Sequence, residues 1–323
     1  MTFTLMIVFG TLVGGYVIAS LLLFKFPNII HARKRIKFKC RHISHRGGAG
    51  ENYENTIVAF RRAVEAGTDM LELDCHLTKD GYVVVSHDHN LLRSTGVDCN
   101  ISQINFKDLP LLKTELPLDF DPDYTFIGSG REEERRFVLL QEVFHNFPQV
   151  PINIDIKVDS DILIQKVCEL IVQYRREEYT VWGNFSDSVT KKCYKVNPQV
   201  NLLFSMKRVV HLLILLYTGL LPFFPLKETH LEIFLPSIYL SRRRNNPSAA
   251  YLPLHTVLVR TMDALLMKKC LFEHLTKRGI HTYLWVLNYE DEFKKAFELG
   301  ATGVMTDYPS KLKKFLKDNP QYQ

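Results

Sequence analysis

Four short stretches of this chain pair an apolar run with polar residues that can do chemistry. They end in His45-Arg46, Glu72 with Asp74, His87-Asp88, and Asp155 with Lys157. Glu72 and Asp74 are two apart, so on an extended strand both side chains project from the same face. With Asp155 they form an all-oxygen ligand set, which suits Mg²⁺ or Ca²⁺ better than Zn²⁺. His45 and His87 suit an acid and a base, because free imidazole titrates near ~6.5. Arg46 and Lys157 can neutralise a phosphate. Divalent metal, cations and a histidine pair together describe cleavage of a phosphodiester. A single strand-end His is ordinarily structural and a single Asp is often a helix cap. Four charged ends on buried runs are harder to explain that way.

The elements that must hold these residues alternate. Eight β-rich runs are legible: 42–45, 70–74, 83–87, 152–156, 179–182, 201–204, 282–286 and 303–306. Helical spacing lies between several of them, as in Ile57, Phe60 and Val64, or Ile162, Val167, Leu170 and Ile171. Gly67, Gly279 and Gly300 fall where helices should end. This pattern predicts a (β/α)8 barrel, with chemistry at the C-terminal ends of the strands. A doubly wound sheet shares the alternation. The link Lys79-Asp80-Gly81 is too short for a crossover helix and reads as a hairpin turn. That hairpin pairs position 74 with about position 86 and returns His87 to the level of Asp74. The stretch 106–136, rich in Asp, Glu and Pro, reads as a surface loop over one edge of the site.

Composition is that of a folded protein: 323 residues, 46% hydrophobic, 24% charged. Six scattered cysteines without a CxxC argue against a disulfide scaffold or a cysteine zinc site. The net charge of +6 comes from seven Lys/Arg in segment 25–41; the remainder holds 34 basic and 35 acidic residues. This is a local patch, and no nucleic-acid partner is expected. Residues 1–24 carry no charge and are mostly apolar, long enough for one membrane span. The positive flank then predicts a retained anchor, a juxtamembrane segment 25–41 among lipid headgroups, and a cytosolic domain over 42–318. Segment 209–226 is nearly all apolar. A second span there would split the barrel, so it reads as a barrel helix plus a membrane-facing apolar loop. Two glycosylation sequons begin at Asn100 and Asn184.

The ordered set His45-Arg46-Gly47-Gly48, Glu54-Asn55-Thr56, Glu72-Leu73-Asp74, Thr78-Lys79-Asp80-Gly81, His87-Asp88, Trp285-Val286-Leu287-Asn288 and 303–309 resembles the glycerophosphodiester phosphodiesterase family. With the N-terminal anchor and 152–157, it looks nearest to the small membrane-anchored vertebrate members, which act as lysophospholipase D enzymes. The resemblance implies a TIM barrel of the phospholipase C-like phosphodiesterase type. It implies His45 and His87 as catalytic residues and Arg46 and Lys157 on phosphate. Glu72, Asp74 and Asp155 would be metal ligands, Asp155 standing where many members have Glu. Glu54, Asn55 and Trp285 would support the site; Asn55 also reads as a cap of the helix starting at Ile57. The expected substrate is a lysophospholipid carrying a choline, ethanolamine or N-acyl headgroup, cut to lysophosphatidic acid. Water-soluble glycerophosphodiesters, or a non-catalytic lipid-binding barrel, are the alternatives. The expected location is the endoplasmic reticulum or another internal membrane.

Overall fold

The computed structural model describes residues 2–121, 123–244 and 253–323. Its strands are β1 (His42–Ser44), β2 (Met70–Leu77), β3 (Val83–Val85), β4 (Glu115–Pro117), β5 (Thr125–Ile127), β6 (Val138–Leu139), β7 (Ile152–Ile156), β8 (Thr180–Gly183), β9 (Asn201–Leu202), β10 (His230–Phe234), β11 (His281–Trp285) and β12 (Gly303–Thr306). Its helices are α1 (Thr2–Lys25), α2 (Ile57–Glu65), α3 (Leu92–Thr95), α4 (Leu140–Asn146), α5 (Asp161–Gln173), α6 (Asp187–Val196), α7 (Met206–Tyr217), α8 (Pro236–Arg244), α9 (Pro253–Leu266), α10 (Lys269–Lys277), α11 (Glu290–Glu298) and α12 (Pro309–Asp318).

Eight of these strands form a parallel barrel in the order β10-β11-β12-β1-β2-β7-β8-β9. A parallel bridge between Leu203 and His230 closes it. Strands β1, β8 and β12 are buried throughout, as parallel strands covered on both faces are. Helices α2, α5, α6 and α7 each bury one stripe. In α5 the stripe is Leu163, Ile164, Val167, Cys168 and Ile171, and the Ser160 side chain caps the first turn by accepting from Leu163 N. Each such buried aliphatic contributes about 1.5–3 kcal/mol. Gly279 ends α10 at φ +75°, and a Cβ there would run into the Lys34 backbone passing beneath it.

The barrel has the expected number of strands, but its membership differs in one place. Run 83–87 is not a barrel strand. It is the return arm of a hairpin, with Cys75 opposite Val85, so that Asp74 faces Ser86 as the turn predicts. The missing member is β10, whose His230, Glu232 and Phe234 alternate with the buried Leu231 and Ile233. Polar residues facing the barrel axis hid it from a search for apolar runs.

Segment 209–226 forms no helix long enough to cross a membrane. Helix α7 has 12 residues, about 18 Å against a hydrocarbon thickness of about 30 Å. Leu212, Leu215, Leu221 and Leu226 are in the core, while Ile214, Tyr217 and Phe224 are exposed. Helix α1 is apolar and long enough to span, and residues 3–13 of it are exposed. Segment 25–41 does more than carry charge. Phe38 and Cys40 are buried, and Phe38 stacks on His230 at the N-terminal end of the barrel, leaving Arg33, Arg35, Lys37 and Lys39 exposed.

Candidate active site

The C-terminal ends of the strands converge on one cavity of about 490 Å³. Its floor includes His45, Arg46, Glu72, Asp74, His87, Asp155 and Lys157. The turn after β1 positions the first of these. Arg46 takes a positive φ of 51°, and Gly48 follows at φ +93°, where a Cβ would strike Pro309. This turn lets the Arg46 N–H donate to Glu72 Oε2 at 2.8 Å, tying β1 to β2.

Both histidines are held by a carboxylate at Nδ1. His45 Nδ1 donates to Asp307 Oδ1 at 2.7 Å, and His87 Nδ1 donates to Asp88 Oδ1 at 2.9 Å. A carboxylate can only accept, so each ring keeps its Nε2 as the atom that can take or give a proton. His45 Nε2 stands 4.0 Å from Glu72 Oε2. Asp307 is itself fixed, its other oxygen accepting from Asn288 Nδ2 at 2.9 Å. Burial opposes the charge of Asp307, yet His45 and the hydrogen bonds from His45 and Asn288 outweigh it and hold the carboxyl below its usual range. Asp88 is likewise held down, to about 2, by His87 and Arg93 against the cost of burial.

The remaining acids crowd two cations. Arg46 is buried, with Nη1 2.8 Å from Asp119 and 3.3 Å from Glu54, and Nε 3.5 Å from Asp74. Lys157 Nζ lies between Asp74 Oδ1 at 2.9 Å and Asp155 Oδ2 at 2.8 Å. Asn55 Nδ2 donates to Asp74 Oδ2 at 3.0 Å, and Asn184 Nδ2 to Asp155 Oδ1 at 2.6 Å. Burial pushes Glu72 well above its usual value, and the neighbouring Asp74 pushes it further, with Arg46 and Lys157 only partly compensating. Asp74 takes the opposite direction because Lys157 and Arg46 lie against it and overcome its burial.

Among the described residues no three of these side chains already close into an ion cage. Their chemistry nevertheless suits a hard cation. Among the described residues, the permanent cations paired with Glu54, Asp74, Asp88, Asp119 and Asp155 are Arg46, Arg93 and Lys157. Glu72 is buried, with Arg46 and Lys157 near but no Lys or Arg side chain among those residues paired to its carboxylate.

Several contributors lie outside the sequence expectation. Asn55 is not a helix cap: Thr56 caps α2, and Asn55 turns its amide to Asp74. Asn184, read as a sequon, holds Asp155. Asp307 and Asn288 follow β12 and β11, the same strand-end placement that marked the other acids. Asp119 and Phe120 come from the β4–β5 hairpin within 106–136. Phe120 sets its ring edgewise against both His45 and Trp285. That stretch is therefore a wall of the site and not only a surface loop. Nothing local in the sequence marked these two. Glu232 lies deeper, with both carboxylate oxygens 2.8 Å from Asn153 Nδ2.

The upper wall is apolar. Met206, Val209, Val210 and Leu213 of α7 face Met262, Leu265 and Leu266 of α9, with Phe234 and Trp285 between floor and wall.

Comparison with known proteins gives a consistent result. A sequence model described as the glycerophosphoryl diester phosphodiesterase family matches residues 45–311. "Lysophospholipase D GDPD1" of Rattus norvegicus is 54% identical over 305 residues, covering 94% of this chain and 95% of that protein. "Lysophospholipase D GDPD3" of Homo sapiens is 38% identical over 311 residues, covering 95% and 94%. Among solved structures, a glycerophosphoryl diester phosphodiesterase from Silicibacter pomeroyi superposes with a TM-score of 0.61 at 17% identity, covering 88% of this chain and 95% of that one.

Proposed function

Because the chain belongs to the glycerophosphoryl diester phosphodiesterase family and is a phosphoric diester hydrolase, we propose that its substrates are lysophospholipids. It would cut them to lysophosphatidic acid and the headgroup alcohol. The observation that carries this reading is the single cavity in which the His45–His87 floor continues into the apolar wall of α7 and α9. A soluble glycerophosphodiester has nothing to place on that wall, whereas an acyl chain does. The naming of the relatives as lysophospholipase D agrees with it.

In a lysophospholipid the glycerol carries a free hydroxyl beside the phosphoester. One histidine takes its proton through Nε2, and that oxygen attacks phosphorus. The bond from phosphorus to the headgroup oxygen breaks, and the other histidine protonates the departing alcohol. A cyclic phosphate results, which water opens. Asp307 and Asp88 keep the rings in the tautomer this exchange needs. Glu72, Asp74 and Asp155 would hold a divalent ion, Mg²⁺ or Ca²⁺, which when bound supplies charge neutralisation to the phosphate. Lys157 already joins two of these ligands, so it both spaces them and adds positive charge beside the reacting group. Arg46 reaches phosphate only by releasing Asp119, its most exposed partner.

The anchor reading extends to location: α1 would hold the barrel on an internal membrane such as the endoplasmic reticulum, with the barrel on the cytosolic side.

Product analysis on lysophosphatidylcholine tests the proposal. Choline and lysophosphatidic acid should appear, should vanish with EDTA, and should return with added Mg²⁺ or Ca²⁺. Glu72→Ala at matched thermal stability should lose most of this turnover. Cleavage of glycerophosphocholine with lysophosphatidylcholine left intact would assign the enzyme to water-soluble diesters instead.

A further inference from the structure

Helix α7 shows an exposed apolar stripe on its outer side. Val210, Ile214 and Tyr217 are 50%, 58% and 53% exposed at a spacing that aligns them on one face. Helix α9 adds Val257, Leu258 and Leu265, also exposed. The two helices meet where Tyr217 Oη donates to the Leu265 carbonyl at 2.8 Å. Val210 and Leu265 have a double placement: each is about half-exposed, and each lines the catalytic cavity. They form the rim of its opening, so the exposed stripe runs without interruption into the cavity wall.

The second observation is how α1 docks. Tyr16, Ser20 and Phe24 lie one turn apart along one face. Ser20 Oγ donates to the Gly219 carbonyl at 2.6 Å, Tyr16 Oη donates to the Thr218 carbonyl, and the Tyr16 ring stacks on Phe223. Phe24 stacks on His274 of α10. The apolar stretch Phe3–Lys25 has 23 residues, about 34 Å of helix and little more than one hydrocarbon thickness. Ser20 and Tyr16 are then about 7 Å and 13 Å inward from Lys25. Whatever they touch lies at hydrocarbon depth as well. The end of α7 fits that position: the carbonyls of the two residues that follow it, Thr218 and Gly219, which water would otherwise satisfy, accept from hydroxyls of α1.

We infer that the α7–α9 flank is itself inserted into the membrane leaflet beside α1, so that the cavity opens between Val210 and Leu265 into hydrocarbon and not into water. The occupant of this surface is the acyl region of the bilayer. This rests on the reading of the substrate as a lysophospholipid, whose acyl chain would pass sideways from leaflet to cavity. The basic residues Arg33, Arg35, Lys37 and Lys39, exposed at the barrel end nearest the anchor, face the headgroups at the edge of the inserted flank.

The test uses the full chain in phosphatidylcholine vesicles, with part of the lipid brominated near the middle of its acyl chains. Ile214→Trp on α7 and Leu258→Trp on α9 are compared with Glu65→Trp on α2, which lies across the barrel, four strands from the strand preceding α7. Neither Ile214 nor Leu258 lines the cavity. Fluorescence of the first two should be quenched by bromine at least threefold more than that of Glu65→Trp, above the background of Trp182 and Trp285. Equal quenching at all three positions overturns the insertion. In a second arm, Ile214→Glu and Leu258→Glu should lower turnover of long-chain lysophosphatidylcholine in vesicles about tenfold. They should leave turnover of a short-chain, monomeric lysophosphatidylcholine as in the wild type. Equal turnover of both substrates in these variants overturns the sideways route. Bromine quenching needs no activity, so a failed substrate assignment and a failed insertion give different results.

Discussion

At the residue scale the site depends on how each imidazole is held. His45 has one proton-carrying nitrogen facing the cavity because Asp307 accepts from the other. Asp307→Asn keeps the shape but replaces a pure acceptor with a group that can also donate. The ring then has no fixed tautomer, and kcat should fall on the order of 10²- to 10⁴-fold while KM changes little. Steady-state kinetics on a variant with unchanged thermal midpoint checks this; near-normal kcat would remove Asp307 from the mechanism. Glu232 gives a stability prediction of defined sign. Burial, with Asp155 adding and Asn153 opposing, pushes its carboxyl from 4.5 up to about 8. Between those values the folded protein keeps a proton that the unfolded chain has released. Stability therefore falls as pH rises through the window. Glu232→Gln has no such proton, so it should gain on the wild type by roughly 1–3 kcal/mol between pH 5 and pH 8. Urea unfolding at both pH values checks it, and a constant difference would contradict the buried, protonated state.

At the element scale the β4–β5 hairpin has the largest consequence. It brings Asp119 to Arg46 Nη1 and within 3.8 Å of His87 Nδ1, where a substrate phosphate would also seek charge. Glu54 and Asp74 remain beside Arg46 if Asp119 is removed, so no buried cation is orphaned. Asp119 is 31% exposed, and Asp119→Ala should cost only about 1 kcal/mol. It should lower the KM for lysophosphatidylcholine several-fold with kcat unchanged, because phosphate no longer displaces a carboxylate. A raised KM would mean that Asp119 itself touches substrate or ion.

At the scale of the whole molecule, substrate scope follows from the nucleophile. Diacyl phosphatidylcholine has no free hydroxyl beside its phosphate. Among the described residues, the strand-end hydroxyls beside the site, Ser44, Ser86 and Thr306, are buried, bonded to Thr68, the Asp88 carbonyl and Asn288, and none lines the cavity. Diacyl lipid should be inert while the 1-acyl lyso form is cut. A lyso analogue with its free hydroxyl methylated should compete for binding but release no headgroup, as mass spectrometry of the products would show. Headgroup release from that analogue would require direct attack by water. Membrane side has a molecular check too. Asn184 is committed to Asp155 inside the cavity, which leaves Asn100 as the sequon that can report. A cytosolic barrel leaves Asn100 unmodified; an endoglycosidase-sensitive glycan there would place the barrel on the other side.

The sequence by itself determined the features that are local in the chain. Apolar residues dominate most of the barrel strands, so the charges within and just after them stood out, and His45, Glu72, Asp74, His87, Asp155 and Lys157 were legible as site candidates before any fold was known. Asp80-Gly81 fixed a hairpin, and the hairpin fixed the level of His87. Tertiary structure alone decided the contacts between distant segments. Strand β10 was hidden because its axis-facing residues are polar, and a strand buried in a polar barrel interior loses the apolar signature that reveals its neighbours. Asn55 turns its amide to Asp74 only because the turn at Arg46 brings the two together. Asp119 and Phe120 reach the site across 73 and 75 residues of chain from Arg46 and His45. The docking of α1 on α7 joins residues 16 and 218, a contact 202 residues apart. Periodicity reports which side of an element is buried, but not against what, because the partner is set by the closure of the whole barrel.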